Sequence, residues 1–275
     1  MRKVLKFCSI LCAFSLIAPT VTAGLIPLDI SITGNAELDT IDSASATGNA
    51  SQNADMSIIV GGNTTLTSIA NLTPTGANPL AGTFTDFGDG VGVSARSSST
   101  AGAISEVPDF IFDMGFSLFN SSATDTYQLF FELAFLNFAD ADGPDAFIDA
   151  EINLFNTLMT ELFASDLTSD TFYNDKKNRT DLATSGAALS DNGTFLFNIT
   201  LAAGASDNFS ALLKMDGKAF DNSSIFNART SAFISIVGAE NLTNTQPPSQ
   251  VPEPSTFILF FIAMVLLQVK RKINN

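Results

Sequence analysis

Apolar residues recur at every second position through several stretches of this 275-residue chain. Phe110, Phe112, Met114, Phe116 and Leu118 alternate with Ile111, Asp113, Gly115, Ser117 and Phe119. Tyr127, Leu129, Phe131, Leu133 and Phe135 do the same, as do Ala146, Ile148, Ala150, Ile152 and Leu154. Phe195, Phe197, Ile199 and Leu201 form a fourth run, and Thr230, Ala232, Ile234 and Ile236 share one face of a fifth. Period two is the signature of strands, because successive side chains leave a strand on opposite faces. Turns rich in Gly, Asn, Asp and Ser between the runs predict an all-β fold, an antiparallel β-sandwich. Several strands are apolar on both faces, which predicts interior strands covered twice. Residues 24–102 are smaller and more polar, with shorter strands at Met56–Val60, Thr64–Ile69 and Val91–Ala95. They complete the sandwich or form a looser edge layer. Residues 168–192 read as a long polar surface loop, and no fixed-period repeat is present.

The two ends carry a different pattern. Arg2, Lys3 and Lys6 precede an apolar run from Phe7 to Ile17, broken by Ser9 and Ser15, and Pro19 and Val21-Thr22-Ala23 follow. Charged head, short apolar middle and small-residue exit are the parts of a secretory signal helix. Cleavage is expected after Ala23 by signal peptidase, leaving Gly24 first. Cys8 and Cys12 both lie inside this signal, each after a bulky residue (Phe7, Leu11), which argues against lipidation. The mature chain then has no thiol, and a body this size needs no disulfide.

At the other end, Gln246-Pro247-Pro248-Ser249-Gln250 is a polar spacer and Val251-Pro252-Glu253-Pro254-Ser255 follows it. An apolar run from Phe257 to Leu267 comes next, and Lys270-Arg271-Lys272 lies near the terminus. This order resembles the PEP-CTERM sorting signal, with Val251, Pro252, Glu253 and Pro254 as its motif. The resemblance covers about the last 25 residues. It implies recognition by an exosortase, a membrane-embedded protease or transpeptidase of Gram-negative bacteria. It also implies a link to exopolysaccharide and surface display. Independently, Thr256–Val269 as a membrane helix would reach about 21 Å against a hydrocarbon core near 30 Å, a marginal span. Cations at both ends favour the cytoplasmic side and place the intervening chain outside. The expected organisation is a signal peptide (1–23), a sandwich body (24–245), and a spacer with sorting tail (246–275). The expected location is across the inner membrane, anchored by the tail, then the cell surface or matrix.

Between Gly24 and Gln250 there are 27 acidic and seven basic residues, a net charge of −20. Such a field repels nucleic acid and excludes it as a partner. The chain has no histidine, which removes Ser-His-Asp triads, histidine bases and the usual zinc sites. No phosphate-binding glycine loop is present. No catalytic residue, cofactor or cofactor-binding residue is predicted. Among the acids, Asp140, Asp142 and Asp145 in Asp140-Ala141-Asp142-Gly143-Pro144-Asp145 are candidate Ca²⁺ ligands. The competing reading is a solvated hairpin turn using Asp, Gly and Pro for geometry. Asp86-Phe87-Gly88-Asp89-Gly90 is a lesser candidate of the same kind.

Ten Asn-X-Ser/Thr sequons occur, as composition alone would produce. Twenty-five phenylalanines and no tryptophan point to core filling rather than aromatic sugar platforms, for which only Tyr127 and Tyr173 remain. Three functions stay open: a structural or interaction protein of the surface or exopolysaccharide matrix, a Ca²⁺-dependent ligand-binding module or adhesin, and a hydrolase using paired carboxylates.

Overall fold

The computed structural model describes residues 24–243. The signal segment, Ala23, the spacer and Val251–Pro254 lie outside the described residues. Among the described residues every regular element is a strand. In chain order these are β1 (Ile30–Leu38), β2 (Ala50–Val60), β3 (Asn63–Ala70), β4 (Thr73–Thr75) and β5 (Leu80–Thr83). Then come β6 (Gly90–Ser99), β7 (Ser105–Asn120), β8 (Tyr127–Asp142), β9 (Ala146–Asn156) and β10 (Glu161–Asp170). The last are β11 (Lys176–Lys177), β12 (Thr180–Asp181), β13 (Leu189–Leu201), β14 (Ser206–Ala219) and β15 (Ile225–Asn241).

They form two antiparallel sheets. The larger runs β12-β11-β10-β9-β14-β7-β1-β5 and the smaller β13-β8-β15-β6-β2-β3-β4. The polar N-terminal third completes the same sandwich, since β1 and β5 extend one sheet and β2, β3, β4 and β6 the other. The inner faces meet in one core. Phe116 stacks on Phe209 at 4.3 Å, and Phe209 meets Phe131 and Phe197 edge-on from the opposite sheet. The phenylalanines therefore tie the layers together, each adding large apolar area and favourable ring geometry. On the smaller sheet Phe233 lies across Gly90 and Gly92 of β6, where an added methyl at Gly92 would fall 2.7 Å from its ring. Bare strand positions are thus covered by a neighbour's ring.

Buried polar side chains also bridge the core. Asn137 of β8 is fully buried, donates to the carbonyls of Ala150 and Ser165 at 2.7 and 3.0 Å, and accepts from Thr230 Oγ1. Asn120 is equally buried and donates to Asp125, Leu201 and Ala202 carbonyls. That sequon asparagine is used by the fold.

Two expectations need correction. The strands apolar on both faces are not covered twice by the described residues: there are two layers, and Phe119, Leu136 and Leu196 stand 44%, 45% and 66% exposed on the outside. The segment 168–192 is not simply a loop. It contains the end of β10, the small hairpin β11–β12 and the start of β13. Buried Asp175 holds it, its carboxylate accepting from the backbone N–H groups of Asp170, Gly186 and Ala187 at 2.9–3.1 Å.

Candidate functional site

The β11–β12 hairpin places charge where the sequence showed only a polar excursion. Its two central residues, Asn178 and Arg179, have φ of 50° and 62°, the pattern of a type I′ turn. Asparagine tolerates this region; arginine does so at a steric cost. Asn178 fastens the turn to β10, accepting from Asp166 N at 3.1 Å through its side chain and donating its backbone N–H to the Asp166 carbonyl. Arg179 then reaches Glu161 at 2.7 Å and Asp166 at 3.8 Å.

Beneath it, antiparallel register sets charges in rungs across the outer face of the larger sheet. Asp216 of β14 lies opposite Asp149 of β9, Asp149 opposite Thr168 of β10, and Thr168 opposite Lys176 of β11. One rung along, Lys214 faces Glu151 and Glu151 faces Asp166. These eight residues, Arg179 included, line an open depression of about 280 Å³. Lys214 bonds Asp109 at 2.7 Å and lies 3.9 Å from Asp216.

The electrostatics follow from two carboxylates placed directly opposite. Burial, then the charge of Asp149, pushes the Asp216 carboxyl up to about 6, with Lys214 pulling the other way. Burial also raises Asp149, opposed by a bond from Thr168. Asp149 Oδ1 is buried without a hydrogen-bond partner. Asp166 is raised too, by burial and then Glu151. The pair can hold a proton in mildly acidic solution, and Arg179 and Lys214 beside it are already paired with carboxylates. The walls are charged and the site is open, unlike the dry apolar-walled cleft that strengthens carboxylate chemistry.

The predicted calcium ligands are not brought together with this site. Asp140, Asp142 and Asp145 do lie at the β8–β9 connection. It is not a hairpin, however, because β8 belongs to the smaller sheet and β9 to the larger. Asp140 and Asp142 sit on the outer face of one layer, while Asp149 and Glu151 sit on the outer face of the other. Asp142 Oδ1 accepts from Gly143 N at 2.8 Å, and Asp145 N donates to Ser224 Oγ at 3.0 Å. Burial, then Asp142, pushes the Asp140 carboxyl up. Among the described residues no group of three or more carboxylates is arranged to hold a metal ion.

In the second candidate loop, Asp89 is 1% exposed and its Oδ2 accepts from the backbone N–H groups of Gly61, Thr85 and Asp86 at 2.7–3.0 Å. That oxygen is taken up by backbone donors. Tyr127 is buried and donates to Asp29 at 3.4 Å, whereas Tyr173 is exposed and meets exposed Phe172 edge-on at 5.0 Å. Gly24, the first of the described residues, already contacts the sandwich, its carbonyl accepting from Phe87 N at 2.8 Å.

Sequence reasoning missed the depression altogether. Its residues come from four strands and a turn spread over 68 positions (149–216), and only cross-strand register unites them.

The chain matches no protein-family model and no curated protein. Among solved structures it is similar to that of infectious bursal disease virus Gt strain, at 10% identity over 88% of this chain and 72% of that one, with a TM-score of 0.18. The VP2 subviral particle of the same virus is similar at 13% identity, over 88% and 73% of the two chains, with a TM-score of 0.17. At these TM-scores the likeness bears on neither fold nor function, and the architecture rests on its own strands.

Proposed function

We propose that the chain is an exported bacterial protein of the cell surface or exopolysaccharide matrix, with a structural or interaction role. It is sorted through its PEP-CTERM-like tail. The observation that carries this reading is the sequence of segments in the tail, Val251-Pro252-Glu253-Pro254, then Phe257–Leu267, then Lys270-Arg271-Lys272, opposite a signal segment at the other end. Its partners are signal peptidase and an exosortase-like membrane enzyme. Cleavage after Ala23 would leave intact the first sandwich contact, made by the Gly24 carbonyl. A thiol-free, acidic body bound by one continuous core suits a soluble module outside the cytoplasm. The open, charged setting of Asp149 and Asp216 favours a binding or structural role over hydrolysis.

Intact-mass analysis of the protein from envelope and extracellular fractions tests the reading, comparing wild type with Pro252→Ala/Glu253→Ala. The expected product begins at Gly24 and lacks residues 257–267, and processing is lost in the variant. A product extending to Asn275 in both forms would overturn sorting and leave a simple tail anchor.

A further inference from the structure

We infer that β13 is a self-association edge, on which a second copy of this chain adds its own β13 antiparallel, with the two-fold axis at Leu196. Proteins protect sheet edges by making the terminal strands short or by covering or charging them. Three of the four sheet edges here end in strands of two to four residues: β12, β4 and β5. The fourth, β13, is thirteen residues long and pairs only with β8.

The limits of the open stretch are visible. Lys177 Nζ donates to the Ser190 carbonyl at one end, and Asn120 Nδ2 donates to the Leu201 carbonyl at the other. Between them, Asn192 to Thr200 have no main-chain partner besides β8 among the described residues. That window, Asn192-Gly193-Thr194-Phe195-Leu196-Phe197-Asn198-Ile199-Thr200, holds no charge and no proline in a body of net charge −20. A β-prone, uncharged segment of this kind is a template for strand addition. It is also the place where two acidic copies can meet with least repulsion.

The occupant follows from register. Inner and outer faces match only when a residue pairs with one of its own parity. The midpoint of the open window is Leu196. A two-fold there sets Asn192 opposite Thr200, Thr194 opposite Asn198 and Leu196 opposite itself on the outer face. On the inner face Phe195 meets Phe197. Amides meet hydroxyls, apolar meets apolar, and the single nearby charge, Asp191, falls opposite Leu201 rather than its own copy. Leu196, 66% exposed alone, becomes covered. Nine residues paired in this way form about eight to ten main-chain hydrogen bonds, comparable with a typical protein interface. The pairing does not depend on the route of export.

The test uses the full chain in mild detergent, with two measurements. In sedimentation velocity at tens of micromolar, wild type is expected to dimerise. Leu196→Lys, which opposes two cations at the axis without touching the core, is expected to be monomeric with an unchanged circular dichroism spectrum. In a Cys8→Ser/Cys12→Ser background, Leu196→Cys is expected to form a disulfide-linked dimer on mild oxidation, because directly opposed Cα atoms lie within disulfide reach. Thr194→Cys, one register step away and facing Asn198, is expected to cross-link at least tenfold less. A monomeric wild type, as when the edge is covered by residues 244–275, or equal cross-linking at both positions, overturns the proposal.

Discussion

Asp89 shows how one carboxylate acquires a structural task. It sits at the close of the β5–β6 connection, where Gly61, Thr85 and Asp86 offer backbone N–H groups that no strand partner takes up through Oδ2's position. Burial pushes its carboxyl up, but these backbone donors, together with Gly62, more than offset that and hold it below the usual aspartate value. A carboxyl depressed in the folded state stabilises above its unfolded value near 3.8, and that contribution is lost as pH falls through the folded value. Asp89→Ala leaves several buried donors unpaired and is expected to cost about 2–4 kcal/mol. Asp89→Asn keeps one acceptor oxygen and should cost less. Urea titration at pH 7 gives the order, and the gap between wild type and Asp89→Asn is expected to narrow as pH falls below 3.8. From sequence, Asp89 was one acid in a glycine-containing loop and a lesser candidate for a cation. Only the fold reveals which polarity surrounds it.

Strands were legible where large apolar residues carry the alternation. Phe110–Leu118 lies in β7, Tyr127–Phe135 in β8, Ala146–Leu154 in β9, and the runs near Phe195 and Ile234 in β13 and β15. The strands not anticipated fail that condition in particular ways. β1 turns Gly34 and Ala36 inward beside Ile30 and Ile32, so its inner row is diluted. β10 buries Ser165 and Ser169, whose hydroxyls donate to Asp191 and to the Ala187 carbonyl, so hydrogen bonds replace apolar contact. β14 alternates faultlessly, but its outer row mixes Leu212 with Lys214, Asp216 and Lys218, and Gly217 interrupts its inner row. The charged depression was illegible for a related reason, since β9 and β14 are joined by pairing alone.

That pairing has a measurable consequence. Asp216 opposite Asp149 is a like-charge cross-strand pair, which destabilises when both are ionised. Because Asp216 is raised to about 6, the folded state binds more protons than the unfolded state between about pH 4 and 6, and stability falls as pH rises through that window. Asp216→Asn is expected to gain about 1–2 kcal/mol more at pH 7.5 than at pH 4.5, read from thermal melts at the two pH values.

Across the whole molecule the same sign recurs. Asp113, Asp140, Asp149 and Asp166 are all raised, burial being the first cause in each, and neighbouring acids add to it. These groups are expected to favour the sandwich in mildly acidic over alkaline solution, down to the point where Asp89 protonates. Its order of assembly is also written in the topology. β15, the last strand, lies inside the smaller sheet, between β8 and β6. Without it that sheet is two pieces: β13-β8 and β6-β2-β3-β4. A chain emerging N-terminus first from the ribosome cannot close this layer until β15 has appeared. The smaller sheet stays open until β15 joins its two pieces. Such long-range closure makes folding slow and late, which suits the export proposed above. A chain ended at Ser224 is expected to remain protease-sensitive and to lack a cooperative melt, whereas one ended at Thr243 should fold.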